Sequence, residues 1–351
     1  MQANAISVKN LSLAFLAINA AFFGALIHVP VAACSRILLA NAGQSVVART
    51  MDLYVSDRAR ILVYPRGVRR DGGAKSGATK RWESKYGSVT VNSLDMATSD
   101  GINEKGFVAN LLYLSATKYE SRDKRPGVTN AQWAQYMLDN VATVDEALAQ
   151  LEQVQIVSAV VAGREWPLHL AISDASGNSA VIEFVDGMRI IHRGAKTAVM
   201  TNEPPLDVQL KNLPRYKYFG GGEPLPGDID PISRFVRASA FLKTTSTPQS
   251  AVKALELAYN LAKTVVVPDG AKDTSVLAES QDNWPTLWTT LSDSVNRRYF
   301  FQSAGSPNMF WVDLNQIDFS ERMPIRYLPG NDISLNGDVS RQLKTLPMPV
   351  R

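Results

Sequence analysis

A single cysteine, Cys34, stands in a chain of 351 residues, and it constrains the fold more than any other feature of the sequence. One thiol closes no internal disulfide, so a chain that leaves the reducing cytosol must be held together by a large apolar core. The sequence points to that destination. Residues 11–31 are mostly apolar, Lys9 alone precedes them with a charge, and Ala32 and Ala33 close the segment, which is the layout of a secretory signal. Asn19, His28 and Pro30 interrupt the run and argue against an uncleaved anchor. We therefore expect residues 1–33 to be a signal peptide and residues 34–351 to form one domain. That domain would be periplasmic or secreted, with no stable membrane insertion after cleavage. Cleavage before Cys34 would place the only thiol at the mature amino terminus. A residue there carries a nucleophilic side chain and a free α-amine on one carbon, and the amine can serve as the base.

Several chemistries are poorly supported by the rest of the chain. The net charge is +4, of which Lys9 supplies one, too small a surplus to argue for nucleic acid. The densest basic stretch, Arg66, Arg69, Arg70, Lys75, Lys80 and Arg81, is interleaved with Gly72, Gly73 and Gly77 and reads as a solvated loop. Beyond the leader only His169 and His192 remain, without a carboxylate or cysteine at ligand spacing. Neither a metal centre nor a Ser-His-Asp site is expected. Gly220, Gly221 and Gly222 lack the Lys and Ser or Thr of a phosphate loop and read as a turn. No cofactor is expected.

The apolar pattern predicts a hairpin directly after Cys34, with strands over 36–40 and 45–52 and a turn at Asn41, Ala42 and Gly43. Further strands are predicted at 61–64, 86–92, 106–114, 168–173, 179–184, 188–192, 197–201, 287–292, 298–303 and 309–314. Helices are predicted at 130–140, 143–153, 233–244 and 248–263. The second of these opens on Thr143 with Glu146 three residues on, a capping box. Many strands with helices inserted in pairs indicate sheets packed on each other and flanked by helices. The four residues Val31-Ala32-Ala33-Cys34 also fit the box of a bacterial lipoprotein. A tethered cysteine is usually followed by a flexible polar spacer, whereas a strand pattern begins here within two residues. A lipid-tethered, non-catalytic binding protein is the alternative of a different class.

Cys34, followed by Arg49 and Asp52 within Ala48-Arg49-Thr50-Met51-Asp52, resembles the start of the choloylglycine hydrolase family, whose N-terminal nucleophile amidases include bile salt hydrolases and penicillin V acylases. The resemblance continues through Trp82-Glu83-Ser84-Lys85-Tyr86-Gly87-Ser88 and Asp100-Gly101-Ile102-Asn103-Glu104-Lys105-Gly106. Later stretches that match are Thr201-Asn202-Glu203-Pro204, Ser233-Arg234-Phe235-Val236-Arg237 and Phe310-Trp311-Val312-Asp313-Leu314. The order and spacing of these motifs cover essentially the whole mature chain.

The resemblance implies an α+β fold, a four-layer αββα sandwich, in which Cys34 attacks a linear amide. Arg49 would favour the thiolate, and Asp52 would hold the α-amine. Asn202 matches the family asparagine that helps stabilise the oxyanion. Arg234 matches the arginine in the charged network around the nucleophile. Tyr113 occupies the position where bile salt hydrolases typically carry asparagine and penicillin V acylases tyrosine. The expected partner is thus a small-molecule amide with an apolar acyl group, phenoxyacetyl or the chain of an N-acyl homoserine lactone, with a conjugated bile salt as the alternative. The interval from Asn202 to Arg234 is shorter than in bile salt hydrolases, where a hairpin there helps assemble tetramers, so a homo-oligomer is left open. Arg49 and Asp52 are three apart, and a regular strand points them to opposite faces. Both reach Cys34 only if a bulge or the strand's end intervenes.

Overall fold

The computed structural model describes residues 34–41, 43–95, 97–161, 163–272 and 284–347. The expected signal peptide lies outside these residues. Two sheets dominate. The first runs in spatial order Val199–Thr201, Ser35–Asn41, Gln44–Asp52, Thr286–Asp293, Arg298–Ser303, Phe310–Asp313, Gly337–Asp338. The second runs Met188–Arg193, Ser179–Val185, Leu168–Ser173, Val108–Tyr113, Ala97–Asn103, Ser88–Ser93, Arg60–Tyr64, Arg326–Pro329, Lys344–Thr345.

Side-chain alternation explains why these strands stack in layers. In Gln44–Asp52, Val47 and Met51 pack into the cluster between the sheets with Val89, Val91, Val108 and Val181. Val46 and Ala48 point the other way, onto Ala254, Ala258 and Ala262. Those alanines recur every fourth residue along the helix Ala251–Lys263, so one smooth face lies close on the sheet. The far face of the second sheet is covered by Asn130–Asn140 and Val144–Leu151, through Trp133, Met137, Val144, Ala147 and Leu151 against Leu170, Ile172 and Ile182. The result is helix, sheet, sheet, helix.

The predicted helix 130–140 is observed with the same bounds. The Thr143 half of the capping box is present too, with Thr143 Oγ1 accepting from Glu146 N at 3.2 Å, while the Glu146 carboxylate reaches one residue past the cap and accepts from Ala142 N at 2.7 Å. The basic stretch differs from expectation. It contains a short hairpin, Arg69–Asp71 with Arg81–Glu83, and its arginines are paired rather than merely solvated. Arg66 pairs with Glu104 and Arg69 with Glu83, while Arg70 is drawn inward to Asp139 at 2.7 Å. The interval after Asn202 holds the helix Leu206–Asn212 and two short helical turns, with one isolated bridge between Tyr216 and Glu223 in place of a hairpin.

Candidate active site

Cys34 sits immediately before Ser35–Asn41, a strand paired on both sides. Ser35 lies opposite Thr201 and opposite Thr50. Continuing both registers by one residue sets Cys34 beside Asn202 on one flank and Met51 on the other. The thiol is buried, with Sγ 3.6 Å from Met51 Sδ and 3.8 Å from the Asp52 carbonyl oxygen.

Arg49 enters from the face between the sheets. Its Nη2 lies 3.9 Å from Cys34 Sγ and donates to the Leu111 carbonyl at 3.2 Å. The guanidinium lies over the Trp288 ring, 4.5 Å from its centroid, with Nε 4.0 Å from Asp100. Asp52 faces the opposite way, toward the helix Pro231–Thr244. Its Oδ2 takes a hydrogen bond from Arg234 Nη1 at 3.1 Å, and its Oδ1 takes one from Thr286 Oγ1 at 2.6 Å. Arg234 Nη1 also donates to Ser35 Oγ at 2.7 Å, and its Nε to the Ile229 carbonyl at 2.8 Å.

Strand parity is therefore obeyed: the Arg49 side chain reaches Cys34 Sγ from one face, whereas Asp52 meets the sulfur through its backbone carbonyl and turns its carboxylate to Arg234 and Thr286 on the other. A register shift between Thr286 and Trp288 completes the arrangement. It turns Thr286 onto the face of Asp52 while Trp288 stays on the face of Arg49, although the two are only two residues apart.

Asn202 follows the edge strand Val199–Thr201 and is fully buried. Its Nδ2 donates to the Tyr113 carbonyl at 2.8 Å, which uses one of the amide's two donors. The Tyr113 side chain lines a cleft with Cys34, Met51, Leu168, Trp166 and Trp284. The rings of Tyr113 and Trp166 meet edge to face, 6.4 Å apart. All six residues singled out in the sequence thus converge on one place.

Electrostatics modify one expectation. Burial pushes the Cys34 thiol up, and the downward pull of Arg49 does not overcome it. A thiol pushed up in this way would need a base before it could attack. Burial also raises Asp52 to about 6 against the pull of Arg234.

Three supporting groups were not singled out in the sequence. Asp100 accepts from Tyr299 and from Asn110 Nδ2 at 2.6 Å while facing Arg49. Only its place at the head of the Asp100 to Gly106 motif signalled it. Thr286 and Trp288 carried no sequence signal, because their roles come from the register shift. His169 and His192, which showed no carboxylate partner at sequence spacing, meet one in space. Both lie against Glu183, at 3.1 and 3.3 Å, and the Leu206 N–H donates to the same carboxylate. Burial pushes Glu183 up, but the hydrogen bonds from the two histidines outweigh it and hold the carboxyl down at about 2.

Two sheets stacked between helical layers, with a cysteine buried at the head of an interior strand under an apolar cleft, define the N-terminal nucleophile hydrolase fold. Comparison places the chain within that class. It belongs to the choloylglycine hydrolase family, described as linear amide C–N hydrolases, whose profile matches residues 34–327. It is 38% identical over 317 residues to a penicillin V acylase of Pectobacterium atrosepticum, covering 83% of each chain. The structure of a penicillin V acylase from Agrobacterium tumefaciens superposes with a TM-score of 0.79 at 36% identity, over 90% of this chain and 98% of that one. A conjugated bile acid hydrolase from Clostridium perfringens shares the fold, with a TM-score of 0.71 at 19% identity, over 91% of this chain and all of that one. The protein is an amidohydrolase acting on linear amides.

Proposed function

We propose that Cys34, exposed as the mature amino terminus by export and removal of residues 1–33, is the nucleophile of a penicillin V acylase-like amidase. The observation that carries this reading is the placement of the buried thiol at the foot of an apolar cleft, 3.9 Å from Arg49. A free α-amine titrates at roughly 8, close enough to a thiol raised by burial to accept its proton. Sγ then attacks the amide carbon. The oxyanion that forms is met by the unused Nδ2 donor of Asn202 and by the field of Arg49. Collapse passes the proton from the α-amine to the departing nitrogen and leaves a thioester, which water hydrolyses with the amine again as base. Asp52, braced by Arg234 and Thr286, holds the amine in place.

Met51, Leu168, Trp166 and Trp284 suit a phenoxyacetyl group, and the same apolar lining suits a fatty acyl chain. Deacylation of N-acyl homoserine lactones is the second reading on that ground. The test is primary-amine release from penicillin V, a long-chain acyl homoserine lactone and glycocholate by protein beginning at Cys34, beside its Cys34→Ala variant. Release abolished in the variant, with an unchanged circular dichroism spectrum, is expected. Equal release by both would remove Cys34 from the mechanism, and lipid found on Cys34 by intact mass would replace the nucleophile with a tether.

A further inference from the structure

The rim of the cleft carries a cation that the mechanism leaves unused. Arg164 lies on a short hairpin, Val160–Val161 with Arg164–Glu165. Its guanidinium covers the Trp166 ring, 4.3 Å from the centroid. It donates to Tyr54 Oη at 3.3 Å, and its charge acts on the Tyr113 hydroxyl, pulling it down against the burial that raises it. Tyr113 and Trp166 line the cleft, and Tyr54 packs 4.9 Å from Trp284, which lines it too. Arg164 therefore ties one wall of the mouth to the other.

Each of these anchors is neutral. Among the described residues no carboxylate lies within ion-pair distance of Arg164. Glu203, the carboxylate felt by Tyr113, has its oxygens taken by Ser115 N at 3.1 Å and Ser115 Oγ at 2.6 Å. A half-buried guanidinium oriented by ring stacking and the Tyr54 hydroxyl, with donors to spare and no counter-charge among the described residues, is prepared for an anion. We infer that Arg164 binds a carboxylate on the amine half of the substrate, and so selects N-acyl amino acids over amides of uncharged amines. This rests on the amidase reading. With the acyl half in the apolar lining and the scissile amide at Cys34, the amine half faces the mouth.

Phenoxyacetylglycine and phenoxyacetylglycinamide share the acyl half and differ by one charge in the amine half. The enzyme should favour the acid by roughly tenfold in kcat/KM, as one charge-assisted contact commands, and raised salt should narrow that preference. Arg164→Gln should bring the ratio near one, and Arg164→Lys should restore part of it. Equal cleavage of both by the parent enzyme, or a preference that survives Arg164→Gln, overturns the assignment of Arg164 and leaves the amidase reading standing. Calorimetric binding to Cys34→Ala protein separates the two ideas further. If the parent cleaves neither compound while Cys34→Ala protein binds the acid more tightly through Arg164, the anion site stands and the penicillin V acylase-like reading falls. Equal binding of acid and amide there overturns the anion site.

Discussion

Cys34 and Asp52 are both buried, yet burial has opposite chemical meaning for the two. For the thiol it keeps a proton in place until a base arrives. For the carboxyl it raises the pH at which the anion forms. With Asp52 at about 6 rather than the ordinary 3.8, kcat/KM should fall on the acid side with a midpoint near pH 6 if the proposed hold on the α-amine needs the ionised group. A profile flat from pH 7 to pH 5 would remove Asp52 from that role. The same shift has a stability consequence of opposite sense. The neutral buried carboxyl contributes stability that is fully present below 3.8 and lost as the pH rises through about 6. Arg49 offsets part of the cost on the other face, held by Asp100 and Trp288. Removing one partner of such a buried pair typically costs roughly 3–5 kcal/mol.

Elements with clear apolar periodicity were legible in the sequence, and the clearest omission is a strand. Residues 130–140 repeat on a helical period and fold as expected. Ala97–Asn103, a central strand of the second sheet, carries Thr98, Ser99, Asp100 and Asn103, so it shows no apolar alternation. The structure supplies the missing partners: Thr98 Oγ1 donates to Gln135 at 2.7 Å, Ser99 meets Ser93 at 3.0 Å, and Asp100 faces Arg49. The motif that marked the family there is largely architectural. Asn103 Oδ1 accepts from Lys105 N and Phe107 N, while its Nδ2 docks the carbonyls of Leu138 and Val141 at 2.9 and 2.7 Å. Gly106 closes the turn with φ +83, where an added Cβ would stand 2.2 Å from the Ser294 carbonyl oxygen. Gly106→Ala should thus destabilise the fold by roughly 1–3 kcal/mol and lower Tm by calorimetry. An unchanged Tm would mean that the turn relaxes freely. The spatial convergence of Cys34, Arg49, Asp52, Tyr113, Asn202 and Arg234 was legible where motifs carried them. Thr286 and Trp288 were not, because a register shift between neighbouring strands leaves no trace in side-chain pattern.

Across the whole molecule, the space between the sheets is both core and workshop. The cluster that contains Val47, Ile61, Val89 and Phe301 also contains Cys34 and Met51, so the sulfur proposed to react is one of the packed atoms. No crosslink shares the burden, since Cys34 is a free thiol and the only one in the sequence. Loss of hydrolysis across a urea titration should therefore coincide with loss of tryptophan fluorescence, as a two-state transition requires. Activity vanishing at clearly lower urea would reveal a site that melts by itself. The paired strands on either side of Ser35–Asn41 carry a consequence for evolution in the laboratory. If Cys34 is the nucleophile proposed above, its strand, clamped between two neighbours, lets new substrates be gained by changing the rim but not by moving the sulfur. Variants that broaden specificity should accumulate around Tyr54, Trp166 and Trp284 and spare the strand that begins at Ser35.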